Sequence, residues 1–240
     1  MTPPQYQQPA VRGQRPTVGA VIVAAGRSRR MDGIDKLWAP LTGHTETRPL
    51  LAYSLAAFEA CPSVSQAVLV VGEDAVERAR SLVHDDGCHK VCAVVPGGER
   101  RQDSVRAGLD ALGACQWVAV HDGARPLVTV ELIEQGLLEA LETGAACPVV
   151  VVPDTVKEID EAGFAVHTLD RARLRLAQTP QVFRYDLLLE AHRRRDDATD
   201  DAAMVEALGV RVRLFPGTRR NVKVTTPEDL ALVHALLGSG

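Results

Sequence analysis

The sequence predicts an α/β fold built on a doubly wound, mostly parallel sheet, from which a β-hairpin arm protrudes. Short apolar runs of strand length alternate along the chain with segments of helical periodicity. The runs are rich in valine and contain few polar residues, which is typical of strands that helices cover on both faces. Right-handed crossover connections between such strands then give a doubly wound sheet.

In the first half of the chain, strands and helices follow one another in pairs. We expect strands at 18–23, 67–71 and 91–95 and helices at 49–59, 74–83 and 101–112. Each strand is assigned from a continuous run of small and β-branched residues. The first helix is assigned because Leu51, Leu55 and Phe58 recur near helical spacing.

The second half continues this pattern after one interruption. We expect strands at 117–121, 145–152 and 210–215 and helices at 130–141, 185–194, 202–208 and 227–237. Leu132, Ile133 and Leu137 lie on one side of the helix that begins at residue 130. The last helix has a clear start, because Thr226 can cap it and Pro227 suits its first position.

The interruption lies at about residues 153–176, which we call the arm. Charged residues alternate there with single apolar ones, such as Val156 and Phe164, and Gly163 marks a turn. This pattern indicates a hairpin that leaves the sheet. An isolated hairpin is only marginally stable, so we expect the arm to pack on another surface, such as a second copy of the chain.

Bulk composition limits the classes of function. The chain has 240 residues, of which 46% are hydrophobic, so we expect one domain at 17–240 after a disordered tail at 1–16. A net charge of −4 and 4% aromatic residues argue against nucleic-acid binding. No apolar run reaches the roughly 18 residues that span a membrane. Five cysteines without a Cys-x-x-Cys pair indicate reduced thiols and a cytoplasmic protein.

The end of the first strand has the composition of a phosphate-binding loop. Small residues, Ala24, Ala25 and Gly26, allow backbone N–H groups to approach an anion, and Arg30 follows four positions after the glycine. Lys36 adds a further charge, although Asp35 beside it is expected to weaken its field. The loop matches neither Gly-x-Gly-x-x-Gly nor the P-loop pattern. A basic turn on a solvated surface is the alternative.

Two further clusters follow strand ends. Gly97-Gly98-Glu99 exposes backbone groups suited to reading a base edge, although a plain strand–helix turn is the alternative. Asp122, at the end of the strand at 117–121, can hold Mg²⁺ through oxygen. The alternative is a structural pairing of Asp122 with Arg125.

Two basic or mixed-charge clusters complete the set. Thr155 and Arg171 lie on the arm among alternating charges and are candidates for a functional role. The alternative is a solvated hairpin whose charges only face water. The segment 217–225 contains Arg219, Arg220 and Lys223, three basic residues within five positions. It can bind an anion, although a basic surface turn is the alternative.

Together these clusters resemble one family. The motifs Val-Ala-Ala-Gly-x-x-x-Arg-Met, Gly-Gly-x-x-Arg-x-x-Ser-Val, His-Asp-x-Ala-Arg-Pro, Asp-Thr-x-Lys, Thr-Pro-Gln and Asn-x-Lys-Val-Thr-x-Pro-Glu-Asp-Leu occur in one order over residues 18–237. Each motif alone is weak, but the set resembles the 2-C-methyl-D-erythritol 4-phosphate cytidylyltransferases of the non-mevalonate isoprenoid pathway. The resemblance implies a Rossmann-like sheet of the nucleotide-diphosphosugar-transferase type.

The resemblance also implies roles for single residues. The implied catalytic residues are Arg30, Lys36, Arg171 and Lys223. The implied nucleotide-binding residues are Ala24, Ala25, Gly26, Gly98, Glu99, Ser104, Asp122 and Gly123. The implied substrate-binding residues are Asp122, Arg125, Thr155, Arg171, Thr179 and Lys223. Asp122 is the implied ligand of Mg²⁺, and the arm is implied to join two subunits in a homodimer.

The implied reaction transfers CMP from CTP to methylerythritol phosphate and releases pyrophosphate. A phosphate monoester is already ionised at neutral pH, so the reaction needs positioned cations and no protein base. This agrees with a chain whose clusters are rich in Arg and Lys. Two alternatives stay open: a sister enzyme that uses another polyol phosphate, such as ribitol 5-phosphate, and a non-catalytic nucleotide-binding module.

Overall fold

The computed structural model describes residues 17–26, 35–43, 46–194 and 198–238 of the chain. The strands of this part are β1 (Val18–Ala24), β2 (Pro40–Thr42), β3 (Thr47–Pro49), β4 (Val64–Val71), β5 (Val91–Pro96), β6 (Trp117–Asp122), β7 (Ala145–Val151), β8 (Val156–Ile159), β9 (Ala165–Leu169), β10 (Arg175–Ala177), β11 (Gln181–Arg184) and β12 (Arg213–Pro216). Its α-helices are α1 (Leu50–Ala60), α2 (Val76–Asp85), α3 (Arg101–Ala111), α4 (Val130–Thr143), α5 (Tyr185–Arg194), α6 (Asp201–Glu206) and α7 (Pro227–Leu237).

One central sheet organises the described part of the chain. Eight strands form it in the order β10-β7-β11-β6-β1-β4-β5, with β12 paired to β7. Strand β1 lies parallel to β4 and β6, and β4 lies parallel to β5. Strand β11 is antiparallel to both β6 and β7. The predicted α/β sheet is confirmed as mostly parallel, and its parallel strands end at one edge.

Alternate residues of β1 face two separate cores. Ala20 and Ile22 pack in the core that α1, α2, α4 and α7 cover. Val21 points the other way, into the core that α3, α5 and α6 cover. Helix α3 lies very close to the sheet, because a Cβ on Gly108 would be 2.4 Å from Val21 Cγ1. Helices therefore cover both faces, as the valine-rich strands predicted.

The antiparallel strand β11 was not predicted. The stretch 175–184 lies beside β7 and β6, and a break at Gln178, Thr179 and Pro180 divides it into β10 and β11. The Thr179–Pro180 peptide bond is cis. Few valines and a central proline hide this strand from sequence patterns, because proline is normally depleted within strands. The break carries the buried side chains of Gln178 and Thr179 to the edge where the parallel strands end.

The arm is a two-stranded hairpin of β8 and β9, as predicted. Val156 pairs with Leu169, and Ile159 with Ala165. The turn forms because the Asp160 carboxylate accepts hydrogen bonds from two backbone N–H groups and Gly163 adopts a φ of 85°. Most of the large apolar side chains of the arm are exposed in this chain, whereas Val156 and Leu174 are half-buried.

Most predicted helices and strands agree with the structure within a few residues. The main differences are the β2–β3 hairpin at 40–49, which no pattern indicated, and β12, which begins at Arg213 rather than at 210. The predicted tail at 1–16 lies outside the described residues. Among the described helices, none has the length and apolar character needed to cross a bilayer.

Candidate functional site

The carboxyl ends of β1 and β6 meet beside the glycine turn that follows β5. The Gly123 backbone N–H donates to the Val23 carbonyl at 2.8 Å. A Cβ on Gly123 would be 3.3 Å from Ala24 Cβ, and a Cβ on Gly97 would be 2.3 Å from Ala25 Cβ. The missing side chains allow these backbones to approach each other closely. The structure thus brings three predicted nucleotide-binding residues, Ala24, Ala25 and Gly123, to the same edge as the glycine turn.

The turn after β5 is shaped by Ser104. Its hydroxyl accepts a hydrogen bond from the Gly98 N–H at 3.2 Å and lies 3.3 Å from the Arg100 carbonyl. Arg100 caps α3 together with Asp103, whose carboxylate accepts from Arg100 Nε at 2.9 Å. Glu99 is exposed at the tip of this turn. Ser104 is buried, so within this chain its hydroxyl fixes the shape of the turn.

Asp122 lies at the end of β6 between two cations. Its Oδ1 accepts from Arg101 Nε at 2.9 Å, and its Oδ2 lies 2.7 Å from Lys223 Nζ. Asp122 is 7% exposed. Burial alone would raise the pKa of this carboxyl, but the charges of Arg101 and Lys223 outweigh it and hold the pKa well below its ordinary value. The residue is therefore a fixed anion with a cation on each oxygen.

Lys223 belongs to a loop at 217–225 that hydrogen bonds fasten to the sheet. The Gln178 side chain donates to the Thr218 carbonyl at 3.0 Å and accepts from the Thr218 N–H at 3.3 Å. After Lys223, the Val224 N–H donates to the Ala124 carbonyl at 2.8 Å. These contacts hold the loop on both sides of Lys223.

Asn221 adds a buried connection beneath this loop. Its side-chain amide donates to the Thr179 backbone carbonyl at 2.8 Å, and its backbone carbonyl accepts from Arg125 Nη1 at 2.7 Å. Burial lowers the pKa of the Arg125 guanidinium. In the described part of the chain, the Asp122 carboxylate forms its ion pairs with Arg101 and Lys223. Arg125 contacts Asp122 through the backbone, where its N–H donates to the Asp122 carbonyl at 2.9 Å. The Arg125 guanidinium instead fastens the Lys223 loop.

Thr179 is linked to His121 by a chain of hydrogen bonds. The Asp122 N–H donates to Thr179 Oγ1 at 3.0 Å, and Thr179 Oγ1 lies 3.1 Å from His121 Nδ1. His121 Nε2 lies 3.3 Å from the Arg125 carbonyl, which can only accept, so Nε2 carries the proton and Nδ1 accepts from Thr179. Burial lowers the pKa of His121 to about 3, which keeps the ring neutral. The Thr179 hydroxyl thus both accepts and donates a hydrogen bond within the protein.

Three residues without a predicted role continue the network of hydrogen bonds from Asp122 into the protein. Arg101 Nη1 donates to Asp201 Oδ2 at 2.6 Å, and Asp201 Oδ1 lies 3.0 Å from His192 Nε2. Both Asp201 and His192 are buried. Burial would raise the pKa of Asp201, but Arg101 and His192 outweigh it and lower the pKa. The only sequence signal for Arg101 was its place in the Gly-Gly-x-x-Arg motif, since Asp201 lies 100 positions away.

The predicted phosphate loop is described only in part. Gly26 is its last described residue before residue 35, so Arg30 lies outside the described residues. Lys36 begins a short 3-10 helix, Lys36–Trp38, that Asp35 caps by accepting from the Leu37 N–H at 3.3 Å. The Asp35 carboxylate thus has a structural use at this helix start.

The predicted arm residues do not join the residues around Asp122 within this chain. Thr155 and Arg171 are both exposed. Arg171 Nη1 donates to the Pro153 carbonyl, across the base of the arm. Asp170 caps the turn that contains Arg171 by accepting from the Ala172 N–H at 3.0 Å. The guanidinium of Arg171 is therefore held near the base of the arm by the arm's own backbone.

The residues around Asp122 fit a metal ion only if a bound ligand supplies most of its coordinating atoms. Among the described residues, no group of three acidic, His or Cys side chains is arranged to hold a metal ion. Both Asp122 oxygens already have cationic partners. Mg²⁺ in nucleotide enzymes usually takes one or two carboxylates and completes its shell with phosphates and water. Asp122 alone matches that pattern, because each carboxylate oxygen has a second lone pair besides the one that faces its cationic partner.

Buried polar atoms without partners concentrate at the same place. Arg101 Nη2, Arg125 Nε and Asn221 Oδ1 are buried and have no hydrogen-bond partner in the described part of the chain. Leaving such atoms unpaired costs stability, so these three atoms are available to hydrogen-bond a ligand. We call Arg101, Asp122, Thr179, Asn221 and Lys223 the Asp122 cluster. Its geometry suits a polyanion: fixed cations, a glycine turn and small residues at the end of parallel strands.

Comparison with known proteins gives one consistent result. Residues 18–239 match the family model described as 2-C-methyl-D-erythritol 4-phosphate cytidylyltransferase, IspD. The protein of that name from Dehalococcoides mccartyi (strain CBDB1) is 48% identical over 224 residues, 93% of this chain and 97% of the relative.

Solved structures agree. The crystal structure of 2-C-methyl-D-erythritol 4-phosphate cytidylyltransferase from Thermus thermophilus is 35% identical, with a TM-score of 0.73 over 90% of this chain and 96% of that chain. That of 4-diphosphocytidyl-2C-methyl-D-erythritol synthase from Anaerococcus prevotii has a TM-score of 0.77 at 25% identity, over 92% of this chain and 96% of that one. The chain belongs to the 2-C-methyl-D-erythritol 4-phosphate cytidylyltransferase family.

Proposed function

We propose that this protein transfers CMP from CTP to 2-C-methyl-D-erythritol 4-phosphate, giving 4-diphosphocytidyl-2-C-methyl-D-erythritol and pyrophosphate. Family membership over residues 18–239 supports the reaction. The observation that carries the proposal is the Asp122–Lys223 pair at 2.7 Å, at the edge where the small-residue loops after β1 and β5 meet. A fixed lysine beside loops with exposed backbone donors suits a nucleotide triphosphate.

The chemistry requires two anions to be brought together. A phosphate oxygen of the polyol substrate attacks the α-phosphorus of CTP, a new P–O bond forms, and the bond to the β-phosphate breaks as pyrophosphate leaves with its electron pair. The attacking phosphate is already ionised, so no side chain has to remove a proton. The protein supplies positioned charge, and Lys36, Lys223 and Arg30 are the residues to which we assign it.

The residues around the cytosine and the polyol follow from the same assignment. Ala24, Ala25 and Gly26 line the triphosphate, while Gly98, Glu99 and Ser104 form the turn that reads the base. We assign Arg125 and Thr179 to the polyol side of the site. Arg125 and the Thr179 hydroxyl already form hydrogen bonds within the protein. We therefore expect them to act indirectly on the polyol side of the site: Arg125 by holding the Lys223 loop, and Thr179 through its bond to His121.

We further propose that a divalent cation, Mg²⁺, accompanies the nucleotide. Asp122 is the residue that would hold it. When bound, the ion would neutralise phosphate charge and help to orient the triphosphate. The chain's own part is to keep Asp122 ionised, which its lowered pKa supports.

We propose a homodimer in which the arm packs on the partner subunit. Five arm side chains are large, apolar and at least 39% exposed, which is uncommon without a covering surface: Ile159, Phe164, Val166, Leu169 and, at the base of the arm, Leu176. Thr155 and Arg171 would then serve the site of the neighbouring subunit. The five free cysteines support a cytoplasmic location for this enzyme.

The first test measures pyrophosphate release with CTP, Mg²⁺ and either methylerythritol phosphate or ribitol 5-phosphate. We expect strong preference for methylerythritol phosphate and loss of activity in Lys36→Ala. Preference for ribitol phosphate would keep the mechanism and change the substrate. Release with neither substrate would favour the non-catalytic nucleotide-binding module.

The second test mixes two inactive chains, Arg30→Ala and Arg171→Ala. If sites are shared between subunits, heterodimers contain one site with both arginines and recover part of the activity. Verified heterodimers without activity would contradict the shared site and leave the reaction itself untouched.

A further inference from the structure

A continuous series of ion pairs and hydrogen bonds runs from the site into the protein. Lys223 Nζ pairs with Asp122 Oδ2 at 2.7 Å, and Asp122 Oδ1 pairs with Arg101 Nε at 2.9 Å. Arg101 Nη1 then pairs with Asp201 Oδ2 at 2.6 Å, and Asp201 Oδ1 meets His192 at 3.0 Å. Of these residues, only Asp122 and Lys223 have an assigned role, so the function of the other three is open.

We propose that Arg101 is a positioning residue for the transfer reaction, because its guanidinium, anchored on Asp201, fixes the Asp122 carboxylate and through it the Lys223 ammonium. The inference rests on the proposed function. Arg101 acts through Asp122 and is not assigned a contact with either substrate.

The fork of the guanidinium is what allows this role. Arg101 Nε donates to Asp122 while Nη1 of the same guanidinium donates to Asp201, which is fully buried in the first turn of α6. Since Arg101 occupies one Asp122 oxygen, the carboxylate presents its other oxygen to Lys223. A lysine at position 101 carries a point charge and cannot reproduce two directed bonds in fixed geometry.

Lys223 needs such a support. Its side chain is 39% exposed and has four rotatable bonds, so holding its ammonium in one place costs conformational entropy. The ion pair with Asp122 offsets that entropy cost only if the Asp122 carboxylate is itself held in place. Arg101 is also the first residue of α3, directly after the turn that contains Gly98, so the same side chain links the base-reading turn to Lys223.

The test compares wild type, Arg101→Lys and Asp201→Asn with Arg106→Gln, a control on the same helix whose exposed guanidinium pairs with Asp110. We expect kcat for pyrophosphate release to fall about tenfold or more in Arg101→Lys, with KM for CTP changed less than about threefold, since a positioning defect acts in the transition state. Asp201→Asn keeps the Arg101–Asp122 contact and should reduce kcat less. Arg106→Gln should match wild type.

A second readout is independent of catalysis. The acylation rate of Lys223, followed by peptide mass spectrometry without substrates, should rise in Arg101→Lys because its amine is held less firmly, while Lys157 on the arm reacts unchanged. If Arg101→Lys does not fold, Asp201→Asn carries the same two measurements. Folded variants with wild-type kcat and unchanged Lys223 labelling would overturn the inference. An inactive wild type would reject the proposed function, and the labelling result would still decide the positioning role.

Discussion

The Asp122 cluster and the arm are both predicted to meet the substrates, yet they are built in opposite ways. In the cluster, Asp122, Thr179 and Asn221 are buried and every one of them bonds to a residue from another element. In the arm, Phe164 is 72% exposed and Ile159 is 63% exposed, and β8 and β9 pair only with each other among the described strands. The ion pairs of the cluster form within one chain, whereas the arm has its turn and ladder but lacks a surface to cover it.

This contrast separates two kinds of functional residue. Residues of the cluster are held by ion pairs and hydrogen bonds whose strength depends on burial, so their geometry exists before ligand arrives. Thr155 and Arg171 depend on where the arm is held, and that depends on a neighbour. Substitutions in the two regions should therefore differ in what they change: chemistry and stability in the cluster, assembly in the arm.

The largest expected effect is in the cluster. Lys223→Met should reduce kcat/KM about 100-fold or more, because loss of one positioned charge donor at a transition state costs about 3 kcal/mol. Steady-state pyrophosphate release measures this. Arg219→Met, an exposed substitution in the same loop, should stay near wild type. Equal losses in both variants would mean that the loop binds anions only through its general positive charge.

The arm should respond in assembly. The pair Ile159→Ser and Phe164→Ser removes two of its most exposed apolar side chains, so we expect a monomer in sedimentation analysis with an unchanged far-ultraviolet circular dichroism spectrum. Activity should fall with the dimer if sites are shared. The matched control is Leu232→Ser, which changes a side chain that is 48% exposed and belongs to α7 rather than to the arm. A stable dimer of the double variant would contradict an arm-mediated interface.

A stability effect is expected where Asn221 connects the Lys223 loop to Thr179. Asn221→Ala removes the amide that donates to the Thr179 carbonyl and should reduce the free energy of unfolding by about 1–3 kcal/mol, because a buried acceptor is left unpaired. Urea unfolding measures it. Gln135→Ala, which removes an exposed side-chain bond on α4, should cost much less. Equal costs would show that burial of the cluster contributes nothing to this contact.

The effect that is smallest near neutral pH is a pH dependence of stability from His121. The folded state holds its pKa at about 3, below the ordinary 6.5, so the unfolded chain binds the extra proton first. The part of the free energy of unfolding that depends on a neutral His121 ring is fully present above pH 6.5. It is lost as the pH falls toward 3, at up to about 1.4 kcal/mol per pH unit. Unfolding of His121→Gln should lack this slope. The exposed His84→Gln should retain it, and a slope kept in both variants would contradict the assignment.

Local patterns were sufficient for much of the fold. The valine-rich runs of β1, β4 and β6 and the start of α7 at Pro227 could be predicted because period and capping act within a few residues. The same patterns failed for β10 and β11, whose strand character comes from pairing with β7 and β6 rather than from their own composition.

The candidate site divides in the same way. The sequence alone determined that small residues and cations follow the strand ends, and that their order along the chain resembles one family. It could not determine which cation pairs with Asp122, because Arg125 is three positions away along the chain and the true partner, Arg101, is 21 positions away.

Only the tertiary structure decided that Asp122 pairs with Arg101 and Lys223, that Arg125 turns to Asn221, and that Asp201 anchors the set. The physical reason is that an ion pair depends on the distance and burial of two groups. For Arg101 and Asp201, 100 positions apart, the folded chain sets both.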